Sequence, residues 1–241
     1  VRPEGSLPAV KPTVLLFDVD GTLVTTCGAG RRAIERAFEI RHGTKDILSF
    51  SFGGMTDKAI IRTALLALGR PYATEGDLEK EMDEMLSFYL GVLAEEVART
   101  QIRIHDGMVQ AMDMADARQD VALGLGTGNV RKGAEIKLGC VGIYQRFSFG
   151  GFGDDSIDRP TLLAAGARRG AEKLGVPLEN CRIVVIGDTP KDISAAKAIG
   201  AESIAVATGM HDINELRQCD PTAAFANLAD PRAEVALFGR S

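Results

Sequence analysis

Asp18 and Asp20 stand two positions apart, directly after an apolar run and directly before Gly21-Thr22. The segment reads Val14-Leu15-Leu16-Phe17-Asp18-Val19-Asp20-Gly21-Thr22-Leu23-Val24. Carboxylates this close repel each other unless a cation or a proton offsets them. Gly21 lets the backbone turn sharply and approach a ligand. Types and spacing fit a metal-assisted nucleophile site at the carboxyl end of a strand; the plainer reading is a solvated Asp-rich turn. Later apolar runs end in matching polar groups: Thr127-Gly128-Asn129, then Asp188 with Asp192 four residues on, while Arg159 lies between them. Carboxylates converging at one edge require a divalent cation, and oxygen-only donors favour Mg2+. Backbone N–H groups after Gly21 and Gly128 can hold phosphate oxygens.

These residues need a scaffold that gathers strand ends. Val14–Phe17 is apolar without alternation, as expected of a strand buried on both faces. Val121–Leu125, Ile183–Ile186 and Ser203–Ala207 have the same character, with Ala223–Phe225 and Phe147–Phe149 as weaker candidates. Helical patterns fall between them, from about Lys132 to Leu138, Thr161 to Leu174 and Asp192 to Ile199. Strands alternating with helices predict an α/β, Rossmann-like parallel sheet with ligands at the carboxyl ends of its strands.

The stretch from Gly28 to about Gln101 differs. It carries helical stripes: Ile34, Ala37 and Phe38; then Ile60, Ile61, Ala64, Leu65 and Leu68; then Met82, Met85, Leu86, Tyr89, Leu90, Leu93 and Val97. Gly69-Arg70-Pro71 separates the second helix from the third. The methionines read as core filler before binding surface. The expected division is an α/β core of residues 1–26 and 103–241 with a helical insert at 27–102. Its hinges fall near Thr25–Gly30 and Ile102–Gly107, and an insert at the catalytic edge of a sheet can act as a lid.

Composition narrows the class. The chain has 241 residues, 45% hydrophobic, with net charge −5. Lys and Arg are dispersed, which argues against a nucleic-acid partner. No apolar stretch nears the ~20 residues needed to span a bilayer. Val1–Ser6 lacks an apolar signal core and reads as a lead-in. Cys27, Cys140, Cys181 and Cys219 make no ligand spacing, so a reducing, cytoplasmic setting is expected. His42, His105 and His211 are isolated and read as structural or surface residues.

With these motifs in order, the chain resembles the haloacid dehalogenase superfamily, in its branch with a helical cap of the first class, near the phosphoglycolate phosphatase and β-phosphoglucomutase group. The motifs are Asp18-Val19-Asp20-Gly21-Thr22, Gly126-Thr127-Gly128-Asn129 and Gly187-Asp188-Thr189-Pro190-Lys191-Asp192. The resemblance implies that Asp18 is a nucleophile forming an aspartyl-phosphate. Asp20 would protonate the leaving oxygen, then activate water. An ordinary Asp has a pKa near ~3.9, so the acid role requires an upward shift or a protected proton. Asp18, the backbone carbonyl of Asp20 and Asp188 would bind Mg2+, with Asp192 ordering the shell. Thr127 would bond the transferring phosphoryl group, and Gly21, Thr22, Thr127, Gly128, Asn129 and Arg159 would line the phosphate site.

One motif departs from the family pattern, which offers Lys before Pro. Here Arg159-Pro160 opens a helix, and Arg would supply a permanent forked cation. The alternatives are an exposed Arg159 paired with Asp155 or Asp158, the charge coming from Lys132 or Lys191. With Arg159 as the cation, Arg159→Ala is expected to lose turnover and keep the fold. In the insert, the loop Phe52-Gly53-Gly54-Met55-Thr56-Asp57 either contacts substrate or simply starts a helix, with Thr56 as N-cap and Asp57 on the dipole.

The implied function is a Mg2+-dependent phosphatase for a small phosphorylated metabolite, phosphoglycolate or a sugar phosphate. A sugar phosphomutase is the nearest alternative. Asp20 stands against a dehalogenase or a phosphonate hydrolase, which tend to lack that carboxylate. A non-catalytic binding module on the same fold is the remaining reading. The chain could act as a monomer or a homodimer.

Overall fold

The computed structural model describes residues 11–239. The lead-in at Val1–Ser6 and the first ten residues of the expected 1–26 segment lie outside them. Along the chain run β1 (Thr13–Phe17), β2 (Val24–Thr25), α1 (Ala29–His42), α2 (Asp57–Ala67), α3 (Glu75–Ala98) and β3 (Arg103–Ile104). Then come α4 (Met108–Asp116), β4 (Val121–Gly126), α5 (Arg131–Gly139), β5 (Gly150–Gly151), α6 (Arg159–Leu174) and β6 (Arg182–Gly187). The last elements are α7 (Pro190–Ala198), β7 (Glu202–Val206), α8 (Ile213–Gln218), β8 (Ala223–Phe225) and α9 (Arg232–Phe238).

Six strands pair in parallel in the order β5-β4-β1-β6-β7-β8. The chain builds outward from β1 to one side, then returns and builds from β6 to the other. The order reverses between β1 and β6, which opens a crevice beyond their carboxyl ends. The α/β, Rossmann-like expectation is met. The unbroken apolar runs follow from burial on both faces. Leu15, Phe17, Leu123, Leu125, Val184 and Ile186 enter one core. Val14, Leu16, Ala122 and Val185 enter the other, against Leu162 and Leu163 of α6.

Helices α1 to α3 lie between β2 and β3, which pair antiparallel through Val24–Ile104 and Thr25–Arg103. They enclose a separate core that includes Ile34, Phe38, Ile61, Leu65, Met85, Tyr89 and Leu93. Met82 and Met85 pack there, as filler. Thr56 caps α2 by accepting from the Ala59 N–H, and Thr74 forms a capping box with Asp77 on α3. Gly28 and Gly107 flank this insert, where the chain passes into it and out of it, and both take the left-handed conformation (φ 79° and 82°). No helix among the described residues is long and apolar enough to cross a membrane.

The expected strand at Phe147–Phe149 is displaced. The paired residues are Gly150 and Gly151, opposite Leu125 and Gly126. Their lack of side chains is the reason. A Cβ on Gly151 would sit 1.8 Å from the Leu162 carbonyl oxygen, and one on Gly166 would sit 2.8 Å from the Gly151 nitrogen. Sheet and helix backbones touch at this point, and Phe149 packs over Gly124 instead. That contact seats α6, which carries Arg159. Gly151→Ala is therefore expected to destabilise the protein by about 1–3 kcal/mol through overpacking, measured as a lowered urea midpoint; parental stability would contradict this packing.

Candidate active site

The crevice gathers Asp18 from the end of β1, Asp188 from the end of β6, Asp192 from the first turn of α7 and Arg159 from the first turn of α6. Asp18 is anchored by its N–H, which donates to the Ile186 carbonyl at 2.9 Å. Thr189 and Asp192 make a capping box, in which Asp192 Oδ2 accepts from the Thr189 N–H (3.0 Å) and hydroxyl (2.7 Å). Asp158 caps α6 and Pro160 follows Arg159, so the start of that helix is set by local sequence.

Oxygens of Asp18, Asp188 and Asp192 lie within 4.8 Å of one another, and all three side chains are buried. Arg159 Nη2 lies 3.2 Å from Asp18 Oδ2 and also pairs with Asp192 Oδ1. Burial pushes the Asp188 carboxyl up to about 8, reinforced by Asp192 and Asp18. Burial also raises Asp18, and Arg159 offsets only part of the rise. Arg159 is held charged by Asp192 and Asp18 although burial opposes it. Backbone closes on Asp188 from two sides: a Cβ on Gly21 or Gly209 would meet its carboxylate at 2.4 or 1.8 Å. A donor set of close-packed carboxylates under-compensated by one guanidinium fits a hard divalent cation. Lys132 and Lys191 are engaged elsewhere, on Glu135 and on the Gly53 carbonyl. The exposed Arg159 alternative fails as well, since this side chain is buried and Asp155 pairs with Arg169.

Asp20 departs from this group. Its Oδ2 accepts from Lys137 Nζ at 2.6 Å and Asn129 Nδ2 at 2.8 Å, and its Oδ1 from the Thr26 hydroxyl at 3.1 Å. Burial works to raise this carboxyl, but Lys137, helped by Asn129 and Thr26, holds it below the usual range. Of the two routes to an acid role, an upward shift or a protected proton, this carboxyl does not show the first, because an unforeseen ammonium faces it.

At three of the residues expected to line a phosphate site, the structure shows bonds within the protein. The Gly21 N–H donates to the Val24 carbonyl at 2.9 Å and is taken up by the turn. The buried Thr22 hydroxyl donates to Asp188 Oδ1 at 2.9 Å, holding a carboxylate. The Asn129 amide is bound to Asp20 and to Thr127 Oγ1, so it orients side chains within the protein. Thr127 does face the centre: it lies beside Asp18 and works against the net rise of that carboxyl. Gly128 is where the insert lands. A Cβ there would sit 2.5 Å from the Met55 carbonyl oxygen, and its own carbonyl accepts from the Asp57 N–H at 2.9 Å.

Asp57 exceeds its expected role on the α2 dipole. Its Oδ2 accepts the Val130 N–H at 2.9 Å, at the start of α5, where Val130 offers no side-chain cap. The insert thus caps a helix of the sheet domain. Burial pushes Asp57 up to about 6 against the pull of Lys137. Sequence reasoning missed Lys137 and Thr26. For Lys137 a signal exists: it shares the buried helical stripe of Ala134 and Leu138, an unusual place for a lysine. Thr26 carries none, because its contact with Asp20 depends on how the chain turns at Gly21.

Comparisons with known proteins agree with this architecture. A curated phosphoglycolate phosphatase of Xanthomonas campestris pv. campestris is 28% identical over 206 residues, covering 82% of this chain and 84% of that one. Among solved structures, a hydrolase from Pseudomonas syringae superposes with a TM-score of 0.65 at 21% identity, covering 93% of this chain and 98% of the other. CbbY from Rhodobacter sphaeroides, solved in complex with phosphate, gives 0.64 at 19% identity, covering 90% and 95%. These two share the fold. The model of the haloacid dehalogenase-like hydrolases matches residues 12–200, and the chain belongs to that family.

Proposed function

We propose that the protein is a Mg2+-dependent phosphatase for a small phosphorylated metabolite, with phosphoglycolate as the first candidate. The observation that carries this reading is the buried group Asp18, Asp188, Asp192 and Arg159 at the sheet's switch point. The 28% identity to a phosphoglycolate phosphatase supports the substrate class.

In this reading Asp18 attacks phosphorus, the bond to the leaving oxygen breaks, and Asp20 delivers a proton to that oxygen. Water then attacks the aspartyl-phosphate, Asp20 takes the proton of the water, and Asp18 and inorganic phosphate are released. The resting Asp20 is held as carboxylate, the form ready for the second half. In the first half the incoming phosphoryl charge disfavours a second anion beside it and promotes its protonation. Asp18 and Asp188, with the Asp20 carbonyl, would hold Mg2+, and Asp192 would order its shell. Bound there, the ion would supply charge neutralisation for the phosphoryl oxygens. Arg159 and Thr127 hold the nucleophile and face the same oxygens. The helical insert (residues 27–102) acts as a cap, and its loop at Met55–Asp57 is pressed on Gly128.

A phosphatase screen with phosphoglycolate and simple sugar phosphates should release inorganic phosphate with Mg2+ and without a bisphosphate activator. Asp18→Asn and chelation should each lower the rate at least ~10³-fold; unaltered rates would overturn the reading, and a strict need for a bisphosphate would favour the mutase.

Arg159→Ala leaves Asp18 and Asp192 buried without their partner. The variant is still expected to keep its fold, at lower stability. A loss of about 3–5 kcal/mol is expected in metal-free denaturation, with turnover down ~10²-fold or more. Arg159→Lys should retain more of both; equal loss in the two variants would count against the charge of Arg159 as the bridge between Asp18 and Asp192.

Because Asp188 is raised to about 8 in the metal-free protein, it holds a proton below that pH. Mg2+ must displace this proton, so binding should tighten about tenfold per pH unit up to about 8 and then level off. Calorimetry at pH 7 in buffers of different ionisation enthalpy should show proton release; pH-independent binding between 6 and 8 would contradict the assignment.

A further inference from the structure

Lys137 is buried to 3% exposure, yet no part of the family reading uses it. An isolated ammonium loses several kcal/mol of hydration on burial unless it is paired. A leucine or methionine would serve packing alone at this position of α5. The structure instead builds a seat for the charge. Nζ donates to Asp20 Oδ2 at 2.6 Å and to Asn129 Oδ1 at 2.5 Å. Gly30, in the first turn of α1, leaves the space: a Cβ there would lie 3.3 Å from Nζ. Asn129 completes a closed ring of contacts, since its Nδ2 also reaches Asp20 Oδ2 (2.8 Å) and Thr127 Oγ1 (2.9 Å).

The consequence lies in which lone pairs of Asp20 remain. A carboxylate offers about four acceptor sites. Lys137 and Asn129 occupy Oδ2, and Thr26 occupies one site on Oδ1. One site on Oδ1 is left. The Asp20 side chain keeps 38% exposure, so it still borders the crevice.

We propose that Lys137 is a positioning residue for Asp20: it locks Oδ2 and so presents Oδ1 as the single oxygen that exchanges a proton with the leaving group. The proposal rests on the phosphatase reading above and adds a residue to it. It implies a dependence on leaving-group chemistry. A nitrophenolate departs without a proton, whereas an alkoxide requires one. Loss of Lys137 should therefore penalise alkyl phosphates and spare activated aryl phosphates.

The test measures kcat/KM, which reports steps through departure of the leaving group, for phosphomonoesters from p-nitrophenyl phosphate to simple alkyl phosphates with Mg2+. For Lys137→Met, about a 30- to 100-fold loss is expected on alkyl esters, within the range of general acid catalysis, and less than about threefold on the aryl ester. The slope against leaving-group pKa should steepen, and KM should move little. Lys137→Gln, which keeps a polar end too short to reach, should behave alike and serves if the Met variant folds poorly. An equal loss on all esters, or an unchanged slope, overturns the proposal while the parent's phosphatase activity keeps the functional reading intact. An inert parent protein overturns the functional reading itself.

Discussion

The arrangement turns on the mutual repulsion of Asp18, Asp188 and Asp192. Their oxygens lie within 4.8 Å of one another in a buried crevice. Even at an effective dielectric constant of about 20, each such pair repels by roughly 3–4 kcal/mol when both members are ionised. Arg159 bridges two of the three and offsets part of this. The remainder is relieved by a proton or by a divalent cation; burial first, and then this repulsion, raise Asp188. A site with this imbalance is prepared for cationic charge.

The fold maintains that crowding because each carboxylate is fixed by local structure that cannot yield cheaply. Asp18 is held by the β1–β6 ladder, Asp192 by its capping box, and Asp188 by the Thr22 hydroxyl with backbone packed against it. Arg159 depends on the glycine contact between β5 and α6. Two aspartates of the first motif consequently have opposite environments. Asp18 is raised by burial, with neighbouring anions adding to it, whereas Asp20 faces Lys137 and is lowered. Environments of this kind give two neighbouring carboxyls different protonation behaviour.

The helical insert is tied into the same network. Asp57 caps α5, and α5 carries Lys137, the partner of Asp20. Seating of the insert and orientation of Asp20 are thus linked through one short helix. Gly30 reinforces the link, since a Cβ there would lie 3.3 Å from Lys137 Nζ and crowd its seat. The insert reaches this corner from two of its helices while keeping a hydrophobic core of its own.

Local pattern was enough to announce the sheet, the helical insert and the acidic residues after β1 and β6. Unbroken apolar runs and helical stripes arise from burial of neighbouring residues on one element, so they are written in short stretches of chain. The cap at Thr56 and the helix start at Asp158-Arg159-Pro160 are local for the same reason. The partners of Thr22, Asn129, Asp57 and Lys137 were decided by tertiary structure, because the contacting groups lie far apart in the chain or depend on how a turn closes. Lys137 meets Asp20 across 117 positions, and Thr22 meets Asp188 across 166. No periodicity encodes such a meeting. The sequence determined which side chains are available for chemistry; only the folded chain decided which of them gather in the crevice, which hold a neighbour, and where a buried charge finds its counter-ion.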